Sequence, residues 1–227
     1  MRSAVSRLHH KGILVRRPED GRAGYELSET AHETFAEGDR RIYDATEPAD
    51  LNDGWVTVIF SIPERMRARR HHLRSRLLVL GFGNLSAGVW LAPRRSAPHA
   101  AATVERCGLT EYVNIFEGHH TAFGSPRELV RSCWDVHDIS QQYADFVART
   151  QPVLKEWQRR SNWDDRQAFV TYMEILQEWR ALACLDPGLP VELLPDSWAG
   201  QDAASLFRGA ADLLGPAAKR HVKLTAF

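Results

Sequence analysis

Side chains able to hydrogen-bond to nucleic acid are concentrated in the first twelve residues. The candidates are Arg2, Ser3, Ser6, Arg7, His10 and Lys11. Ala4, Val5 and Leu8 recur at helical spacing among them, and Gly12 follows as a stop signal. We therefore predict a helix over residues 1–12, with one side facing a core and the other offering donors to phosphates and base edges.

A second basic group follows this helix. Residues 13–15 and 25–27 are short β-branched or aromatic stretches, and the turn-rich residues between them predict a hairpin. The candidate phosphate-binding side chains of this hairpin are Arg16, Arg17 and Arg22.

A helix followed by a basic hairpin is the order found in the back half of a winged helix-turn-helix, where the helix enters the major groove and the wing contacts the backbone. The reading helix begins at Met1, without the positioning helix that this domain needs, so either the domain is N-terminally truncated or the start of the chain is misassigned. A solvated amphipathic helix with a surface hairpin is the alternative.

Arginines in the middle of the chain form a second candidate site. Arg65, Arg69, His72 and Arg76 follow one another at spacings of four, three and four within a predicted helix over residues 64–80. Such a stripe favours either a nucleic-acid surface or a site for a phosphorylated ligand, and a solvated or salt-bridged face is the alternative.

A pocket for an aromatic acyl group and a nucleotide phosphate is a further hypothesis, and its lining would be Trp90, Trp134, Arg127 and Arg131. In the alternative interpretation the tryptophans are core residues and the arginines cap helices or form ion pairs. The candidate effector-binding residues are Arg65, Arg69, Arg76, Trp90, Arg127, Arg131 and Trp134.

The elements around these candidates indicate an α+β multidomain protein. A strand at residues 55–61 is followed by the arginine-rich helix, strands near 84–85 and 89–92, a helix over 98–107 and a strand at 112–116, which is the ferredoxin-like β-α-β-β-α-β order. Three-to-four spacing then predicts helices over 129–137, 141–158, 165–184 and 202–214. We predict domains at residues 1–50, 51–125 and 126–227.

The charge of the chain is unevenly distributed. Its 29 Lys and Arg balance 29 Asp and Glu, which argues against a nucleic-acid-coating protein. Residues 1–22 nevertheless carry six bases and two acids, and residues 61–95 carry eight bases and one acid. Local positive charge of this kind is what phosphate binding requires.

Length and composition place the protein in a general class. The chain has 227 residues, 44% of them hydrophobic, and lacks a run of about 20 apolar residues that would span a membrane. Three widely spaced cysteines and no secretory signal predict a cytoplasmic protein with reduced thiols.

Together these stretches resemble the PaaX-like family of bacterial transcriptional repressors. The matching segments are RSAVSRLHHKGIL, GRAGYELSETA, FAEGDRRIYD, GWVTVIFSIPERMRARRHHLRSRLLVLGFGNLSAGVWLAP, CWDV with the helix after it, and DPGLPVELLPDSWAGQDAASLF. The resemblance implies a winged helix-turn-helix, a Cas2-like ferredoxin middle domain and a helical C-terminal domain. It also implies a homodimer on a palindromic double-stranded DNA operator of catabolic genes, released by an aryl-acetyl-CoA such as phenylacetyl-CoA. By motif, Arg2, Ser3, Ser6, Arg7 and Lys11 fall on its reading helix, and Arg16, Arg17 and Arg22 fall on its wing.

Two other functions are weighed against this one. A Cas2-like nuclease would hold a metal with an Asp at the end of its first strand, where this chain has Phe60, Ser61, Ile62 and Pro63. The adjacent histidine pairs diverge, no zinc or nucleophile motif is present, and no resident cofactor is indicated, so we expect a protein that is not an enzyme. The other alternative is a truncated ligand-binding protein without DNA binding.

Overall fold

The computed structural model describes residues 2–17, 24–29, 31–32, 35, 42–43, 48–160 and 162–225. The chain divides into two compact units, Met1–Ala45 and Thr46–Phe227.

The first unit contains a helix and a hairpin, as predicted. Helix α1 spans Arg2–His10, and strands β1 (Leu14–Arg16) and β2 (Tyr25–Leu27) pair antiparallel. Gly12 ends the helix with a φ of 71°, and the amides of Gly12 and Ile13 donate to the carbonyls of His9 and Leu8. This Schellman arrangement needs a left-handed residue, which explains the glycine.

One expectation for α1 was wrong. Its apolar side was expected to face a core, but Ala4 is exposed, Val5 is half-buried and Leu8 retains 39% of its accessible surface. Strand β1 is the described element with the most extensive contact with α1, and three residues are too few to cover that side of the helix.

The second unit is built around a four-stranded antiparallel sheet. Its strands are β3 (Trp55–Phe60), β4 (Gly83–Ser86), β5 (Val89–Pro93) and β6 (Val113–Gly118), in the order β4-β5-β3-β6. Helix α2 (Arg67–Val79), preceded by a helical turn at Glu64–Met66, connects β3 to β4, and α3 (Ala97–Arg106) connects β5 to β6. This is the predicted ferredoxin-like order.

The sheet separates two hydrophobic clusters because successive strand residues point to opposite faces. Val56, Val58 and Trp90 point toward Leu73 and Leu77 of α2. On the other face, Trp55 and Leu91 pack with residues of the C-terminal region, namely Val130, Trp134, Val136, Leu189, Leu193 and Leu194.

The C-terminal region is helical. It contains α4 (Pro126–Cys133), α5 (Val136–Arg159), α6 (Asp165–Leu185) and α7 (Gly200–Thr225). Tyr143, Phe146, Trp179 and Phe207 form its aromatic centre, where the rings of Trp179 and Phe207 stack with centroids 5.0 Å apart. No helix among the described residues is long and apolar enough to cross a bilayer.

Two helix boundaries in this region differ from expectation. The predicted helix over residues 129–137 is interrupted, because Trp134 is extended and the Asp135 carboxylate caps α5 by accepting from the Asp138 amide. The last helix does not end near Leu214 but continues through Pro216 to Thr225, and the burial of Ala217 and Ala218 offsets the hydrogen bond that proline removes.

Candidate nucleic-acid interface and effector groove

Helix α1 presents polar and basic side chains to solvent. Ser6, Arg7 and His10 lie on one side of the helix, because residues one turn apart share a face, and Lys11 follows at its end. All four are exposed, and within the described residues Arg7 and Lys11 form no ion pair. Arg2 and Ser3 belong to α1 by their backbone, while their side chains lie outside the description.

Contacts that the sequence did not predict fix the hairpin against α1. The His9 and Tyr25 rings meet edge to face with centroids 5.9 Å apart. Ser28 donates its amide to the Ile13 carbonyl and its hydroxyl to the Gly12 carbonyl, at 2.9 and 2.6 Å. The hydroxyl oxygen also accepts from the Ala31 amide, as an N-cap side chain does, and so joins the hairpin to the next helical segment. Much of the chain between this segment and Tyr43 lies outside the described residues.

The hairpin arginines have different surroundings. Arg16 is exposed, and within the described part of the chain it makes no ion pair. Arg17 donates to the Glu26 carboxylate across the hairpin at 2.5 Å, and this hydrogen bond raises the pKa of Arg17 above its usual value. Arg22 lies outside the described residues. A phosphate would therefore compete with Glu26 for Arg17 but not for Arg16.

The sheet separates the seven candidate effector residues. Trp90 is only 2% exposed and belongs to the hydrophobic cluster under α2. The same helix carries Arg69 and Arg76, and Arg65 lies in the turn before it. Trp134 belongs to the cluster on the opposite face. The predicted pocket lined by both tryptophans is thus wrong, because Trp90 points to the α2 side of the sheet, whereas Trp134 packs with the next strand residue, Leu91, on the other side.

Trp134 and Arg127 have structural partners. The Trp134 indole N–H donates to the Gly81 carbonyl at 3.1 Å, and its ring stacks on Trp55 with centroids 6.2 Å apart. The Arg127 guanidinium donates to the Glu192 carbonyl at 2.9 Å. The alternative interpretation, with core tryptophans and paired arginines, therefore describes these two residues better.

An open groove of about 610 Å³ lies where α4 ends and α5 begins, and Arg131 and Trp134 line it. Its remaining lining residues are Ser132, Cys133, Asp135, Val136, His137 and Pro195. Burial raises the pKa of the Cys133 thiol, so this sulfur is uncharged at neutral pH. The helix break that forms the groove was missed in the sequence, although an Asp before an apolar periodic run is a recognisable N-cap signal.

In the part of the chain that the structure describes, no three His, Cys, Asp or Glu side chains converge in a way that could hold a metal ion. Strand β3 ends at Phe60, and the next residues supply no carboxylate. The nuclease alternative gains no support from this region.

Comparison with known proteins extends these observations. Residues 48–130 match the family model described as the PaaX protein central Cas2-like domain, and residues 134–224 match the PaaX-like protein C-terminal domain. The transcriptional repressor PaaX of Escherichia coli strain K12 is 25% identical over an alignment of 224 residues, which covers 96% of this chain and 69% of that protein.

A solved structure has the same fold. The uncharacterized protein Rv0674 from Mycobacterium tuberculosis is 24% identical, with a TM-score of 0.56 over 96% of this chain and 81% of that one. The Cas2-like middle domain and the helical C-terminal region predicted from the sequence are confirmed. Because the two family models together span most of the chain, the protein belongs to the PaaX-like family.

Proposed function

We propose that this PaaX-family regulator is a repressor that binds double-stranded DNA through α1 and the β1–β2 hairpin. In this proposal the first unit supplies the reading helix and the wing of a winged helix-turn-helix. Ser6, Arg7 and His10 face base edges, Lys11 and Arg16 contact phosphates, and Arg2, Ser3, Arg17 and Arg22 complete the interface.

The observation that carries this proposal is the charge of the described N-terminal residues. Residues 2–17 contain five Lys and Arg and no acid. The side chains of Arg7, Lys11, Arg16 and Arg17 are exposed. The contacts of His9 and Ser28 hold the helix and the hairpin in one geometry. Basic side chains that a fixed helix and hairpin hold toward solvent suit binding to DNA, which is a polyanion. Contacts with phosphates position the protein, and contacts with base edges in the groove distinguish one DNA sequence from another.

The test is selection from a random duplex pool with the full chain. We expect repeated rounds to enrich an inverted repeat, with half-sites about one or more helical turns apart, because a dimer presents two reading helices. Enrichment of no sequence over an unselected pool, at a salt concentration where the chain stays folded, would overturn the proposal.

We further propose that an aryl-acetyl-CoA thioester releases the protein from DNA and occupies the groove at the α4–α5 junction. The groove falls in the size range of small-molecule sites, and exposed Arg131 at its edge offers a partner for phosphate. Arg127 lies one turn earlier on α4. The candidates on the other side of the sheet are not part of this site.

Tryptophan fluorescence tests the effector, because Trp134 lines the groove and its ring stacks on Trp55. Phenylacetyl-CoA is expected to change the emission and displace labelled operator, and free coenzyme A is the control for the acyl group. Arg131→Gln should weaken both responses, and Arg159→Gln, at the exposed last residue of α5, should not. The effector proposal fails if no thioester displaces the operator.

A further inference from the structure

Helix α2 and the turn before it concentrate positive charge on one surface. Residues 65–76 contain six arginines and two histidines without an acid. Glu64, the acid just ahead of them, is engaged by Arg70 at 2.6 Å and lies 4.0 Å from Arg67. Within the described residues, Arg65, Arg69 and Arg76 form no ion pair, and all three are exposed.

This placement is unfavourable for the helix itself. Arg67, Arg69 and Arg70 lie in the first turn of α2, where the helix dipole disfavours cations. Arg70 and Arg74 are four residues apart, a spacing at which like charges repel. A face that served only solubility would gain more from interspersed signs. The charge therefore has a use outside the stability of α2.

Helix α3 brings a fourth arginine to the same surface. A β-carbon added at Gly108, just after α3, would lie 3.8 Å from Nη1 of Arg69. Cys107 lies between the end of α3 and Gly108. Burial raises the pKa of its thiol, and the positive charges of Arg76 and Arg106 oppose that rise. Both guanidinium groups are therefore near this turn. Arg106 is exposed and donates to Thr103 Oγ1 at 3.1 Å. We call Arg65, Arg69, Arg76 and Arg106 the α2 basic surface.

The shape of the surface favours a polymer over a small ligand. Small-molecule sites are concave and bury most of their ligand, whereas these side chains project from the outside of helices into solvent. Arg76 lies eleven positions after Arg65, which corresponds to roughly 16 Å at a helical rise of 1.5 Å per residue. Duplex DNA carries one charge per about 1.7 Å of its axis, so several phosphates fit along that length.

We propose that the α2 basic surface is a second DNA-contacting surface, which binds the phosphate backbone of double-stranded DNA without reading its sequence. The proposal rests on the proposed function, because the partner is the duplex that α1 and the hairpin recognise. It assigns to the middle domain a role in affinity and leaves sequence discrimination to the first unit.

The experiment compares three full-length proteins on labelled duplexes over a range of KCl concentrations. The test variant combines Arg65→Gln, Arg69→Gln and Arg76→Gln. The control removes the same charge elsewhere through Arg159→Gln, Arg180→Gln and Lys219→Gln, all exposed side chains. The probes are the selected operator and an unrelated duplex of equal length, and binding is followed by fluorescence anisotropy.

We expect the test variant to bind both duplexes at least tenfold more weakly at moderate salt. Its slope of log Kd against log salt should fall by about two to three, since each lost phosphate contact removes about 0.9. The preference for operator over unrelated duplex should stay within twofold of the original protein. The control should keep the original slope.

Other outcomes separate this proposal from the proposed function. If the test variant keeps the salt slope of the original protein while Arg7→Ala loses operator preference, only the proposal of a second DNA-contacting surface is overturned. Absence of duplex binding by the unaltered protein overturns both. If the test variant loses binding of free coenzyme A while its DNA slope persists, the surface is a small-ligand site and the proposal is wrong. Replacing the same three arginines by lysine should restore the slope, which distinguishes lost charge from misfolding.

Discussion

Arg7 is the side chain on which groove reading depends most directly, because it is exposed on the polar side of α1 and has no ion-pair partner among the described residues. We predict that Arg7→Ala weakens binding to the selected operator by about 1–3 kcal/mol and relaxes the preference at one base pair. Arg16→Ala should instead weaken binding to all sequences alike and lower the salt slope by about one. Anisotropy on the operator and its single-base variants measures both. Unchanged affinity and specificity in Arg7→Ala would refute the assignment of α1 to the groove.

Trp134 has a structural role in addition to lining the groove. We predict that Trp134→Phe lowers the free energy of unfolding by about 1–3 kcal/mol, because the Gly81 carbonyl loses its indole donor and is left buried. Urea unfolding followed by circular dichroism measures the change. Trp163→Phe is the control, since that ring is 36% exposed. Equal stability of the two variants would show that the Gly81 hydrogen bond contributes nothing.

At the scale of elements, the turn between α1 and β1 depends on one backbone conformation. Gly12 has a φ of 71°, and an added β-carbon would meet no described atom within 4 Å. We therefore predict that Gly12→Ala destabilises the first unit by about 1–2 kcal/mol through backbone strain alone. Gly209→Ala within α7 should have the opposite sign, since glycine is a poor residue inside a helix. Thermal unfolding and operator affinity report the difference, and destabilisation of similar size in both variants would contradict it.

The ion pair between α6 and α7 makes a contribution that depends on pH. Arg220 donates two hydrogen bonds to Asp165, at 2.7 and 3.0 Å, and this bonding lowers the pKa of Asp165. A carboxylate whose pKa is lower in the folded state contributes its stability above the unfolded pKa of about 3.9 and loses it as the pH falls through the folded pKa.

Asp165→Asn should accordingly lower the melting temperature near pH 6, and the difference from the original protein should disappear as the pH falls below about 4. Melting curves between pH 2 and pH 7 test this. Asp212→Asn, an exposed site on α7, is the control and should give no such convergence. A difference that stays constant down to the lowest pH would mean that the ion pair is not its source.

At the scale of the whole molecule, the proposed operator symmetry requires two chains. Each chain carries one α1, whereas an inverted repeat presents two half-sites. We predict a homodimer, with a mass in sedimentation equilibrium of twice the 25.7 kDa of the chain and two chains per operator duplex. One chain per duplex at saturation would contradict both the dimer and the palindromic operator.

The distribution of charge belongs to the same scale. The whole chain is formally neutral, yet residues 2–17 and the α2 basic surface are locally positive. Overall neutrality limits the attraction of the whole protein to DNA in general, while local patches provide contacts where the proposed interfaces lie. Limited attraction to DNA in general helps specific recognition, because the non-specific DNA sites that compete for the protein are numerous.

Sequence alone determined the features that depend on nearest neighbours in the chain. Local periodicity and turn chemistry predicted four features, and the structure agrees with each of them. They are strand β3, the end of α1 at Gly12, the exposed arginine stripe of α2 and the order of elements in the middle domain. The resemblance of long motifs identified the family, which the comparisons confirmed.

Tertiary structure decided which side chains meet across long separations in the sequence. It placed Trp90 and Trp134 on opposite faces of the sheet, paired Arg17 with Glu26, and brought Arg106 beside the α2 stripe. It also extended α7 through Pro216, because burial beyond the proline outweighs one lost hydrogen bond. Such pairings depend on how the sheet is covered and on which groups are near in space, and the spacing of residues along the chain carries no information about either.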